Sequence, residues 1–116
     1  MAVTTKINSG NTVIVLSSLD ADYTFSTGFP KHSNGVRVRS IQYVPSGLND
    51  ICVIKDYNGS VLTSPEVFYT SSMCKFAPIY FHGRRMKFYY DVSDANNVCT
   101  ASANAKVIVN LDDSLA

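Results

Sequence analysis

The chain has 116 residues, 46% of them apolar and 16% charged, with ten Lys or Arg against nine Asp or Glu and a formal net charge of +1. That length holds one domain, which buries roughly two-thirds of its unfolded surface, and leaves no room for a second core. The near-zero charge argues against a surface built for polyanions, and no run approaches the roughly 20 apolar residues of a membrane-spanning helix. Val, Ile, Tyr, Phe and Thr dominate while Glu occurs once, at Glu66. Branched and aromatic side chains suit a pleated surface, so strands are favoured over helices. Weak self-repulsion removes one solubility device, which fits exposed apolar surface being covered by a partner.

From the start of the chain, Val3–Ile7 reads as an edge strand, and Thr12–Leu16, a short apolar run after the Asn8–Asn11 turn, as a buried one. Ser17–Gly35 is mixed, with a short strand at Tyr23–Phe25 and then a long polar loop. Val36 and Val38 alternate with Arg37 and Arg39, whereas Ile41 and Tyr43 resume the alternation one residue out of phase. One extra residue near Ser40, a β-bulge, returns all four apolar side chains to one face. Pro45 and Gly47 end that strand, and Ile51–Ile54 is apolar on both faces, as an interior strand is. Asn58 and Gly59 have the chemistry of a tight hairpin, with Ser60–Thr63 as the return strand.

Glu66–Thr70 and Cys74–Phe81 read as further strands, Pro78 placing the second at an edge or a bulge. Gly83 is expected to turn the chain. Met86–Val92 then alternates, with Met86, Phe88 and Tyr90 on one face and Lys87, Tyr89 and Asp91 on the other. Asp94–Asn104 is a polar, Asn-rich connection, Ala105–Leu111 a last strand with Ala105, Val107, Val109 and Leu111 on one face, and Asp112–Ala116 a solvated tail. No segment keeps helical apolar spacing for three turns. About eight short strands in one domain over residues 1–116, with its core in 12–111, give an all-β antiparallel sandwich of jelly-roll or immunoglobulin-like type.

Reactive constellations are sparse. His32 and His82 sit in predicted loops without a nucleophile or orienting carboxylate beside them in sequence. Asp20 with Asp22, and Asp91 with Asp94, fit turn capping better than a calcium loop, which needs its own glycine and terminal glutamate. Cys52, Cys74 and Cys99 cannot all pair within one chain and lack metal-ligand spacing, so a reducing environment is expected, with Cys52 as a small core residue. The first residues lack the apolar run of a usual signal peptide. No catalytic residue, metal ligand or cofactor motif is assigned.

Arg37, Arg39, Arg84, Arg85 and Lys87 form the one cationic grouping, with Tyr89 beside them, and are the candidate partner-contact residues. Basic residues mixed with tyrosine can serve single-stranded nucleic acid, but the balanced total charge favours a protein partner. The aromatic stretch through Phe68, Tyr69, Phe76, Tyr80 and Phe81 exceeds what a minimal core needs and marks a second contact candidate.

Taken together, Val36–Ser46, Asp50–Asp56 with the Asn58-Gly59 turn, Ala77–Tyr80, Gly83–Lys87 and Val107–Leu111 resemble small β-sandwich proteins of tailed bacteriophages that decorate or cement the capsid. The resemblance spans roughly Val36 to Leu111 and brings no catalytic residues. It implies a virion protein made in the bacterial cytoplasm without a signal. Its expected partners are copies of itself, often three in such proteins, and a capsid or other virion protein, with no membrane and no cofactor. The competing expectation is a small carbohydrate- or receptor-binding module in which the Ser17–Gly35 and Asp94–Asn104 loops hold the ligand; absence of tryptophan counts against it.

Overall fold

The computed structural model describes residues 2–8, 11–28, 31–32, 34–45, 47, 50–71, 78–98 and 105–112. Nine strands run through them: β1 (Ala2–Asn8), β2 (Asn11–Ser17), β3 (Tyr23–Thr24), β4 (Val36–Val44), β5 (Ile51–Asp56), β6 (Glu66–Ser71), β7 (Ile79–Met86), β8 (Phe88–Tyr90) and β9 (Lys106–Leu111). One helical turn, α1 (Phe25–Gly28), follows β3. The strands pair into a five-stranded sheet, β1-β2-β9-β4-β7, and a four-stranded sheet, β3-β8-β5-β6, and every described ladder is antiparallel. With β1 set aside, the layers β2-β9-β4-β7 and β3-β8-β5-β6 have the connectivity of an eight-stranded jelly roll. The all-β sandwich expected from the sequence is present, and strand order selects the jelly roll over the immunoglobulin-like alternative.

Alternation along the strands builds the core. Thr12, Ile14 and Leu16 of β2 and Val107, Val109 and Leu111 of β9 are fully buried, while the residues between them are half-buried or exposed. In β4 the buried apolar set is Val36, Val38, Ile41 and Tyr43, with Ser40 also buried, and the phase change falls where the pairing registers jump, between Val38 and Ser40. Arg39 is the extra residue: Val38 and Ser40 face the consecutive Leu111 and Asn110 of β9. From the opposite layer Cys52, Ile54, Phe68, Phe88 and Tyr90 meet these side chains, and Tyr23 stacks on Phe88 at 5.8 Å between ring centroids. Burying one such side chain contributes roughly 1.5–3 kcal/mol. Cys52 is buried in this core; Cys74 and Cys99 lie outside the described residues.

Three sequence-based assignments need correction. Gly83 does not turn the chain; it lies inside β7, with φ +77° and His82 before it at +53°. Phe81, His82 and Gly83 form a three-residue bulge opposite Arg39, because Val38 faces Arg84 and Ser40 faces Tyr80. Met86–Val92 is not one strand: β7 ends at Met86 in one sheet, and β8 begins at Phe88 in the other. Ser60–Thr63 is not a return strand either. The chain from Tyr57 to Pro65 is a loop knotted by the Asn58 side chain, whose Oδ1 accepts from Ser60 N, Thr63 Oγ1 and Ser64 Oγ while Nδ2 donates to Thr63 O. The partner strand is β6.

Candidate interaction surface

The cationic grouping lands on β4, β7 and the link after β7, but not as one patch. Arg37 and Arg85 face each other across the β4–β7 ladder, so both project from the outer face. Arg85 donates from Nη1 to Gly35 O at 3.2 Å. Arg84 lies opposite the buried Val38, on the inward side of the sheet edge, and its Nη2 reaches Asp56 Oδ2 of the other layer at 3.2 Å. The same carboxylate accepts the Lys87 N–H at 3.0 Å. Asp56 thus fixes the point where the chain crosses between sheets. Arg39, on the bulge, donates to Asp112 Oδ1 at 2.6 Å. The Arg39 and Arg84 side chains are both 50% exposed, so each ion pair is worth at most about 1 kcal/mol. These cations hold the β4–β7 margin together and keep part of their charge toward solvent.

Tyr89 does not belong to that surface. It is 8% exposed, stacked on Tyr57 at 5.7 Å, and its hydroxyl donates to Asp22 Oδ2 at 3.1 Å. Burial first, then that hydrogen bond, pushes the phenol up to about 12. The aromatic stretch also divides. Phe68 is core, Phe81 packs against the core, Tyr80 is 61% exposed, and Phe76 lies outside the described residues.

A polar assembly that the sequence did not reveal occupies the outer face of β5. Lys55 alternates with the core residue Ile54 and so points away from the core, yet it is buried. Its Nζ lies 3.3 Å from Asp91 Oδ2, 3.2 Å from Asp94 Oδ2 and 3.2 Å from Val61 O. The Asp94 contact is an ion pair without well-aligned hydrogen-bond geometry. Beside it, the Asn97 carboxamide substitutes for a neighbouring strand. Oδ1 accepts the Val53 N–H at 2.7 Å, and Nδ2 lies 3.5 Å from Val53 O and 2.8 Å from Asp91 O. One residue on, Val98 and Ile51 exchange both backbone hydrogen bonds at 2.9 Å. The Asn-rich connection therefore continues the ladder that the short β8 leaves unfinished. Side-chain amide pairing leaves no periodic trace in sequence.

Among the described residues no group of three His, Cys, Asp or Glu is placed to hold a metal ion, and His82 is exposed on the β7 bulge. No helix among them is long and apolar enough to cross a membrane.

The sheet margins differ sharply. β7 is interrupted by two positive-φ residues and carries two arginines, devices that blunt an edge. β1 is seven regular residues with one lysine. Its Val3, Thr5 and Ile7 lie opposite the buried Leu16, Ile14 and Thr12, so they share the inward face, but Val3 is 44% and Ile7 49% exposed. No family model, curated protein or solved structure matches this chain. The surface that stands out on geometry is thus the β1 margin, where an apolar inner face overhangs the sandwich. Alternation of Val3, Thr5 and Ile7 was the signal available in the sequence.

Proposed function

We propose that this protein is a non-enzymatic structural component of a phage particle, a decoration or cement protein acting through its sheet surfaces and edges. The observation that carries the reading is a jelly roll with a seven-residue edge strand that, among the described residues, pairs only with β2 and keeps Val3 and Ile7 of its inner face about half exposed. Jelly rolls recur in capsid proteins and in lectins, so the fold alone does not choose between them. An edge left without a second strand among the described residues favours assembly, because strand edges and apolar patches are what protein partners cover. The partially exposed Arg37, Arg39, Arg84, Arg85 and Lys87 margin supplies charge that orients a partner on a shell surface. On this reading the protein is made in the bacterial cytoplasm, self-associates and ends in the virion.

The test is binding of the purified protein to particles of the phage whose genome encodes it, purified from a deletion strain. Saturable co-sedimentation with a fixed copy number per particle is expected. Particles that neither contain the protein when wild type nor bind it when depleted would overturn the reading. Glycan-array binding by a protein that ignores particles would establish the carbohydrate module instead.

A further inference from the structure

We infer that the outer edge of β1, which among the described residues pairs only with β2, joins two copies of this chain, paired antiparallel about a two-fold axis through Thr5. The inference deepens the proposed self-association and rests on that reading for its biological setting. It starts from symmetry in the strand itself. Antiparallel pairing of identical strands keeps inner faces together only when the axis passes through a residue, because an axis between residues would turn one copy's inner face outward.

Three such axes lie near the middle of Ala2–Asn8. An axis at Lys6 sets two ammonium groups opposite each other, a destabilising cross-strand pair. An axis at Thr4 sets Val3 against Thr5, so that Val3 and Ile7 do not meet. The Thr5 axis alone matches the whole strand from Ala2 to Asn8. It sets Val3 against Ile7 of the second copy, Thr5 against Thr5 on the inner face, and Thr4 against Lys6 on the outer one. The half-exposed Val3 and Ile7 then cover each other in two apolar cross-strand pairs, and no like charges meet. A net charge of +1 opposes the approach of a second copy very little.

A single strand pair about 23 Å long buries less surface than the roughly 1,600 Å² of a standard interface. It therefore specifies a dimer in concentration-dependent equilibrium rather than an obligate one. Isologous pairing closes at two copies and leaves the β7 margin free for a shell.

The deciding experiment is site-directed crosslinking in the full chain with Cys74 and Cys99 replaced by Ser. Thr5→Cys places two sulfurs across the axis, where opposed Cα atoms stand about 4.5–5.5 Å apart, within disulfide reach. Mild oxidation should convert most of this variant to covalent dimer. Thr4→Cys or Lys6→Cys alone should remain monomeric, while a mixture of those two variants should give the mixed dimer. Equal crosslinking of all three single variants, or none at Thr5, would overturn the pairing. Sedimentation of the native chain should show a monomer–dimer equilibrium, displaced to monomer by Thr5→Pro; a trimer or a monomer at all concentrations would also overturn it. Particle binding is read separately: dimers that ignore phage particles sink only the virion reading, and particle binding by a strict monomer sinks only this contact.

Discussion

Lys55 and Asp91 form an ion pair, Nζ to Oδ2 3.3 Å, with the side chains 11% and 7% exposed. The pair, joined by Asp94, fastens the connection after β8 to the outer face of β5. Lys55→Met should therefore leave two buried carboxylates without a counter-charge and cost about 3–5 kcal/mol, a large share of a small domain's stability. Adding Asp91→Asn and Asp94→Asn should recover much of that loss. Urea unfolding of the single and triple variants measures both; equal destabilisation would show that the charges do not act as a unit.

The same groups set the pH limits of the fold. Burial raises the Asp91 and Asp94 carboxyls, but hydrogen bonds from Ser93 and the Asn96 N–H respectively, together with Lys55, outweigh it and hold both below the ordinary 3.8. The folded state thus binds these protons more weakly than the unfolded chain. Their stabilisation is complete above about pH 4 and drains away as pH falls below it. At the other end burial lowers Lys55, yet Asp94 and Asp91 raise it above 10.5, and Tyr89 is pushed up to about 12. Both hold their protons more tightly when folded, so stability persists to about pH 10 and falls beyond it. Unfolding midpoints against pH should show this plateau. Tyr89→Phe should flatten the alkaline limb and leave the acid limb unchanged.

Asn97→Ala removes the carboxamide that pairs with the Val53 backbone. The expected loss is about 1–3 kcal/mol, from backbone groups left without their partner. Hydrogen exchange distinguishes this from a general weakening. The Val53 amide should lose protection by more than the amides of β2 and β9.

Gly35 and Gly83 both have positive φ, +93° and +77°, but different surroundings. A Cβ at Gly35 would stand 2.8 Å from the Met86 carbonyl oxygen, a backbone atom, whereas one at Gly83 would meet the Asp112 Oδ2 at 2.9 Å, a side-chain atom free to swing away. Gly83→Ala should cost about 1–2 kcal/mol, the penalty of left-handed backbone, and weaken the Arg39–Asp112 pair. Gly35→Ala should cost more. Thermal melts that rank them the other way would contradict this packing.

Much of the sandwich was legible because alternation reports burial directly. The out-of-phase step between Val38 and Ile41 located the bulge, with Arg39 as the unpaired residue. The same signal was blind at Lys87. Both sheets bury their inner faces in one core, so Met86 and Phe88 are both buried although they belong to different layers. Alternation continues across the crossing without recording it. Gly83 misled because a positive-φ glycine serves a bulge as well as a turn. Tyr89 was assigned to the correct face, but the cover provided by Tyr57 and Asp22 comes from distant residues and has no local signature. The cations were legible as charge and not as a site, since Asp56, Asp112 and the Gly35 carbonyl engage three of them only once the chain is folded.

The place of β9 between β2 and β4 has a consequence for how the molecule is made. Until the ribosome has released Lys106–Leu111, β2 and β4 each lack a hydrogen-bonding neighbour, and the larger layer is split down its middle. Loop-closure entropy must be overcome before that final insertion returns any energy, a topology associated with slow folding. A nascent chain stalled before β9 has emerged would leave the facing edges of β2 and β4 unpaired; emergence of Lys106–Leu111 supplies the strand that pairs with both.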